Sequence, residues 1–300
     1  MDAEPTCGAW FALSMAAAFS QLRTLLVLGR VSNLPTIWSN CLAAWLLNGG
    51  QAWKMFYVTV VGTTLLYIGG MFLNDAFDTQ FDCQFRKERP ISSGQITARA
   101  VWLIGWSLLL FGWLLLSSLG LSVSLLALLL VGSIVLYDAV HKRTIFAPLI
   151  MAACRFLLYL VAASAALHAV NDAVVWHGLA LAAYIAGLSY LARSESGQGI
   201  ASRWPLLLLL APLVASVTTT PHRDAISWIA SAILIAWMLW CLRGIVGRVA
   251  QFIGKSVAGL LAGIVLVDWA AVPRMADGFT PVFIGLFVLA LILQRKIPAT

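Results

Sequence analysis

The chain has 300 residues, 61% hydrophobic and only 10% charged, against about 25% charged in an ordinary soluble domain. One soluble core of this length cannot hide so much apolar surface, so a lipid bilayer is the expected solvent. The formal net charge is +7, but the Lys and Arg residues fall between apolar runs and form no nucleic-acid-binding motif, which excludes nucleic acid and points to anionic lipid or an anionic substrate.

In chain order, Asp2 and Glu4 precede a short apolar stretch, Trp10 to Phe19. A signal peptide needs a basic start, so an interfacial helix is expected within residues 1–22. A helical crossing takes about 20 apolar residues. By that measure the spans are expected at 25–48, 54–75, 99–118, 120–138, 147–168, 173–192, 204–219, 225–242, 256–272 and 279–294. The fold class is therefore all-α, a multi-spanning transmembrane bundle of nine or ten helices. In the first span, Arg30 and Asn33 interrupt the apolar run before Pro35. Polar groups inside a membrane helix usually face the bundle interior, so Asn33 either lines a pocket or packs helices together. The five cysteines, Cys7, Cys41, Cys83, Cys154 and Cys241, are scattered without a CxxC pair and read as small buried residues.

Loop charge sets orientation. The connection 76–98 holds Arg86, Lys87 and Arg89, and 139–146 holds Lys142 and Arg143. Arg243, Arg248 and Lys255 follow later, and Arg295-Lys296 come near the end. The alternate connection 119–120 carries no charge, and 169–173 carries only Asp172. The basic loops thus fall on one side, expected to be cytoplasmic.

The second span ends in Asn74-Asp75-Ala76-Phe77-Asp78-Thr79-Gln80-Phe81-Asp82. Residues 74, 78 and 82 are spaced i, i+4, i+8 and share one helical face, with Asp75 close to the same stripe. Carboxylates at the bilayer are costly, and three together repel. A hard divalent cation relieves both penalties, and Mg²⁺ takes one or two carboxylates plus substrate phosphates. Asn74, Asp75, Asp78 and Asp82 are therefore candidate metal ligands. Within a few residues comes Arg86-Lys87-Glu88-Arg89-Pro90-Ile91-Ser92-Ser93-Gly94, whose basic side chains suit phosphate and whose Pro90 and Gly94 imply a shaped turn. Another basic cluster, Tyr137-Asp138-Ala139-Val140-His141-Lys142-Arg143-Thr144, occupies the next basic connection. It can bring Lys142 and Arg143 over the same pocket. His141 reads as an interfacial residue, since no partner His is near.

With these segments in view, the chain resembles the UbiA superfamily of membrane prenyltransferases. The likeness rests on Asn74-Asp75-x-x-Asp78-x-x-x-Asp82, on Arg86-x-x-Arg89-Pro90-Ile91-x-Ser93-Gly94-x-Ile96 and on Tyr137-x-x-x-x-Lys142-Arg143-Thr144, within roughly residues 25–270. It implies one domain over 1–300, a bundle around a central cavity capped on the cytoplasmic side, and 279–294 as an added helix. It also implies Mg²⁺ as cofactor, an isoprenyl diphosphate as donor, and an aromatic or hydroxyl acceptor within the membrane of a bacterial cell. Asp78 and Asp82 would then act in catalysis with Mg²⁺. Arg86, Arg89, Lys142 and Arg143 would hold diphosphate, and Tyr137 would face the reacting allyl group.

The chain departs from the family where a second acidic motif is expected. There it reads Tyr190-Leu191-Ala192-Arg193-Ser194-Glu195-Ser196-Gly197-Gln198, with Glu195 the lone acid. Arg193 is expected to supply the charge of the missing second metal, since an Arg neutralises phosphate without an ion. This trait resembles the divergent branch found with bacterial Ebo gene clusters. It keeps open an alternative, a non-catalytic membrane protein that binds an isoprenoid or transports a small metabolite.

Overall fold

Hydrocarbon offers no partner to a backbone N–H or C=O, so a crossing segment must satisfy its own polar groups, and a helix does so locally. The computed structural model of the chain describes residues 19–193, 204–219, 225–246, 253–272 and 278–297. Among the described residues all regular structure is helical. In order the helices are α1 (Phe19–Leu28), α2 (Leu34–Leu47), α3 (Trp53–Phe77), α4 (Thr79–Phe85), α5 (Ala98–Ser117), α6 (Leu121–Val140), α7 (Ala147–Leu167) and α8 (Asp172–Arg193). After these come α9 (Pro205–Leu208), α10 (Ala211–Thr219), α11 (Ala225–Val246), α12 (Ile253–Ala262), α13 (Ile264–Ala271) and α14 (Thr280–Gln294). A 3-10 turn, Val31–Asn33, leads into α2.

Seven helical stretches among the described residues are long and apolar enough to cross a membrane. They are α3, α5, α6, α7, α8, most of α11, and α12 with α13 as one unit. The other three expected spans are shorter. The stretch 25–48 breaks where Arg30 takes a left-handed φ of 41°, which ends α1 and forces the 3-10 turn. The stretch 204–219 splits into α9 and α10, because Pro212 has no N–H to donate back to the preceding turn. The last, α14, has 15 residues. Of the interfacial segment expected at 1–22, residues 1–18 lie outside the described set, and Phe19 to Leu22 belong to α1.

The core lies between α2, α7, α8 and α13. Trp45, Tyr159, Tyr184, Leu181 and Ile185 are fully buried there, and every residue of α13 is buried. By contrast α5 exposes Leu103, Leu110, Phe111 and Leu114, and α6 exposes Leu121, Leu125, Leu128 and Leu129. These are the lipid-facing sides, where bulk apolar residues need no protein partner.

Helix α3 carries the acidic motif, and a glycine seam fixes its position. Gly62 and Gly69 on α3 meet Gly105 and Gly112 on α5. A Cβ on Gly69 would lie 2.9 Å from the Gly105 carbonyl oxygen, and one on Gly112 would lie 2.9 Å from that of Gly62. Apolar burial drives nothing between helices in lipid, so such close backbone approach and its dispersion contacts hold the pair.

The seam makes a direct expectation. Gly69→Ala should destabilise the protein by about 1–3 kcal/mol through overpacking, read as a lower thermal midpoint in detergent. Gly132 on α6 has open space around its Cβ position, so Gly132→Ala should leave the midpoint unchanged or raise it slightly. Equal effects at both positions would show that the seam is not tight.

Candidate active site

The acidic motif sits where α3 hands over to α4. Asp78 caps α3 in a near-helical conformation, and the amides of Asp78, Asp82 and Arg86 donate to the carbonyls of Asn74, Asp78 and Asp82. The i, i+4 ladder therefore runs through the junction, and residues 74, 78 and 82 keep one face. All four motif side chains, Asn74, Asp75, Asp78 and Asp82, are buried or nearly so.

Each is answered differently. Arg30 Nη2 donates to Asn74 Oδ1 at 3.1 Å and to Asp75 Oδ1 at 3.4 Å. Arg89 Nη1 donates to the same Asp75 oxygen at 3.2 Å. Asn74 in turn donates from Nδ2 to Asp138 Oδ1 at 3.1 Å. Lys142 Nζ sits 2.7 Å from Asp78 Oδ1, and His141 Nε2 sits 3.4 Å from it. The His141 ring is held from its other nitrogen by the Asp138 carbonyl at 3.1 Å and stacks on Tyr137 at 5.2 Å. Lys142 also lies over the Phe81 ring, 3.8 Å from its centroid.

Asp82 stands apart. Its Oδ1 is buried and has no hydrogen-bond partner. Burial pushes its pKa up, Arg89 opposes this, and the negative charge of Asp78 adds to it, with a net rise. Burial pushes Asp78 up as well, but hydrogen bonds from His141 and Lys142, with their charge, outweigh it and hold Asp78 below the usual value. Two carboxylates on one face thus differ: Asp78 is neutralised by bases, and Asp82 is short of a partner.

The motif borders a cleft of about 290 Å³ lined by Phe77, Asp78, Gln80, Phe81, Gln84 and Lys142. After α4 the chain turns through residues 86–97. Gly94 takes φ 76° there, a conformation that glycine adopts without strain, and the Gln95 amide donates to the Pro90 carbonyl. This shaped turn brings Arg89 back to Asp75.

The sequence-derived residues divide accordingly. Asn74, Asp75, Asp78, Asp82, Arg89, Lys142 and Tyr137 come together. Arg86 and Arg143 are exposed, without an ion-pair partner among the described residues. Arg193 does not reach the acids. Its Nη1 donates to the Thr144 carbonyl at 2.7 Å, and Tyr190 donates to the Ile145 carbonyl at 3.2 Å, so the end of α8 clasps the loop that carries Lys142. Glu195 lies outside the described residues. Asn33 is buried at the start of α2, where its carbonyl accepts from Thr36. Three participants were not assigned from the sequence: Arg30, Asp138 and His141. The signal for the first two was available, since each is an ionisable residue within an apolar run.

Among the described residues no three His, Cys, Asp or Glu side chains form a ready metal-binding group. The donor chemistry still fits Mg²⁺. Asp78 and the unpartnered Asp82 Oδ1 are hard oxygens one turn apart, and Mg²⁺ completes its shell with waters and substrate phosphates. Asn74 and Asp75 are already tied to Arg30, Arg89 and Asp138.

Residues 32–298 match the UbiA prenyltransferase family, and the chain belongs to that family. A 4-hydroxybenzoate octaprenyltransferase of Thiobacillus denitrificans is 35% identical over 104 residues, 33% of this chain and 34% of that protein's length. The corresponding protein of Polynucleobacter asymbioticus is 30% identical over 124 residues, 39% of this chain and 43% of its own. Solved structures agree in fold. A digeranylgeranylglyceryl phosphate synthase superposes with a TM-score of 0.62 at 18% identity, covering 84% of this chain and 98% of that one. A UbiA homolog from Aeropyrum pernix K1 gives 0.50 at 15% identity, covering 90% and 97%.

The unequal pairing of the acids is testable by stability alone. Asp75→Ala strands two guanidinium groups and should cost about 3–5 kcal/mol, read as a large drop in thermal midpoint. Asp82→Asn removes a charge that has no partner and should leave the midpoint unchanged or raise it. A larger loss from Asp82→Asn than from Asp75→Ala would contradict this arrangement.

Proposed function

We propose that this protein transfers an isoprenyl group from an allylic diphosphate to an aromatic acceptor in a Mg²⁺-dependent reaction. The observation that carries the reading is the acidic face itself, with the buried, unpartnered Asp82 Oδ1 beside a ring of Arg30, Arg89, His141 and Lys142. Acids alone would hold an ion, and bases alone would hold phosphate. Their interleaving suits a metal diphosphate. The similar 4-hydroxybenzoate octaprenyltransferases favour an aromatic acceptor over a hydroxyl one.

Asp78 and Asp82 would hold Mg²⁺. When bound, the ion supplies positive charge to the departing diphosphate. Lys142 now lies on Asp78 and over Phe81, and it can exchange the carboxylate for a diphosphate oxygen at the cleft. Arg89 can do the same from Asp75 without losing it, because Arg30 stays. The allylic C–O bond breaks with its electron pair going to diphosphate. Negative charge grows on that group, and preorganised cations stabilise it. The allyl cation is met by aromatic faces, for which Phe77 in the cleft lining and Tyr137 stacked on His141 are the candidates. An acceptor ring carbon forms the new C–C bond and then passes its proton to the released diphosphate, which recovers aromaticity. Exclusion of water keeps the cation from capture as an alcohol.

The basic loops favour the cytoplasmic side for this site, and the bacterial relatives favour a bacterial inner membrane. A charge-insensitive reporter fused after α14 would test the orientation.

The activity test uses purified protein, a series of prenyl diphosphates and 4-hydroxybenzoate, with prenylated product and pyrophosphate both measured. Turnover should require Mg²⁺, and Asp78→Ala and Asp82→Ala should each lower kcat/KM by about 10²-fold or more. Tight isoprenoid binding with no product from any donor, with aromatic or hydroxyl acceptors, would replace this reading with that of a carrier.

A further inference from the structure

Below the diphosphate frame the bundle contains a second polar cluster, built from α2, α7 and α13. Its root is Asp268 on α13, which is fully buried. Asp268 Oδ2 accepts from Ser39 Oγ at 2.5 Å and Asn40 Nδ2 at 2.7 Å. Its Oδ1 accepts from Tyr159 Oη at 2.9 Å. Because the Asn40 amide nitrogen is committed to Asp268, its carbonyl oxygen must face the other way. There it accepts from Arg155 Nη1 at 2.7 Å. Arg155 Nη2 donates to Thr36 Oγ1 at 3.2 Å.

Arg155 is thus an intramembrane cation whose direct partners are both neutral. Among the described residues it makes no ion pair with a carboxylate. Asp268 compensates its charge only across an intervening amide, with its own oxygens already occupied. Two of the guanidinium N–H groups are used, and the rest stay available. A charge in this setting is expensive to keep, and such residues usually mark a substrate path.

The surroundings show where the unused face looks. Thr36, Asn40 and Asp268 have no accessible surface. Arg155, Cys154, Tyr67 and Arg30 each keep part of theirs, although their partners are interior residues. The accessible part of Arg155 therefore lies on the side away from Thr36, Asn40 and Asp268. Tyr67 on α3 connects the two levels. Its hydroxyl reaches the Arg30 carbonyl at 3.4 Å. Thr36 and Asn40 lie in the first two turns of α2, directly after the Arg30 turn. So the level of Arg155 lies some ~10–15 Å beneath that of Arg30 by helical rise. The two guanidinium side chains span part of that interval, and the remainder is on the order of one substituted benzene ring.

From this geometry we infer that Arg155, oriented by Asn40 and Asp268, is the specificity determinant for a carboxylate on the aromatic acceptor. The inference rests on the prenyl-transfer reading above. The acceptor carboxylate forms a forked pair with the open N–H groups of Arg155, and the ring rises past Tyr67 toward the allylic carbon. Asn40 and Asp268 are positioning residues: they fix which face of the guanidinium is free.

The test is equilibrium binding to the full chain in lipid nanodiscs, with Mg²⁺ and an unreactive thiolodiphosphate donor analogue present. The probes are 4-hydroxybenzoate and its neutral isostere 4-hydroxybenzamide. The native protein should prefer the carboxylate by about tenfold or more, as for a charged pair against a neutral one. Arg155→Gln should abolish that preference and leave binding of the donor analogue unchanged. Arg155→Lys, which keeps the charge without the fork, should retain a reduced preference. A purely structural Arg155 would alter folding but not the ratio between the two probes. The inference is overturned if the native protein shows no preference, if the preference survives unchanged in Arg155→Gln, or if that variant loses the donor analogue instead. Should Arg155→Gln not fold, an unchanged ratio in Arg155→Lys overturns it equally. Failure of the native protein to bind the donor analogue would strike the prenyl-transfer reading itself, and this inference with it.

Discussion

The arrangement at the end of α3 depends on one constraint: a carboxylate at the edge of hydrocarbon has to be neutralised by protein. Asp75 meets it with two guanidinium groups, Arg30 at 3.4 Å and Arg89 at 3.2 Å. Those two cations come from opposite directions. Arg30 belongs to the break before α2, and Arg89 to the turn after α4. One buried oxygen therefore joins segments that the sequence separates by 59 residues, from 30 to 89. The left-handed backbone at Arg30 follows from the same demand. The chain leaves its helix at that residue, and the guanidinium reaches both Asn74 and Asp75.

Around this fixed pair the other charges are graded. Asp78 is matched by Lys142 and His141, which are nearer the cleft and more accessible. Asp82 makes no ion pair among the described residues, and its Oδ1 has no hydrogen-bond partner. The series runs from a locked carboxylate, through an exchangeable one, to an open one within three helical turns. A site that has to admit and then release a highly charged ligand needs such a series. A fully paired cluster would have no vacancy for a ligand, and a fully unpaired one would be unstable without it.

Much of this was legible in the sequence. Length and hydropathy point to nine or ten crossings, of which seven are long and apolar enough among the described residues, and the acid face follows from i, i+4 spacing. The losses have physical causes. Hydropathy averages over a window, so it could not register the break that a single residue, Arg30, makes in 25–48. It likewise joined α9 and α10 across the break at 209–210 that Pro212 enforces. Asp138 and His141 were quoted but not assigned, because their roles come from a contact between α3 and α6 that no local pattern encodes. The position of Arg193 was anticipated as an anion ligand from what stood in its place in related proteins. The Thr144 carbonyl that it meets has no sequence signature. The Asp268–Asn40–Arg155 chain spans three helices and was invisible for the same reason.

The length of α3 has a consequence for how a ligand arrives. At 25 residues it is about 37 Å long, which exceeds a hydrocarbon core of about 30 Å. The helix is therefore long enough for its acidic end to reach the lipid headgroups, and the seam with α5 fixes its position against that neighbour. On the proposed reading, a prenyl diphosphate donor would sit at that same depth, its charged end in the headgroups and its tail among the acyl chains. Its capture would then be a lateral encounter in two dimensions, with no need for the tail to cross water to reach the bundle.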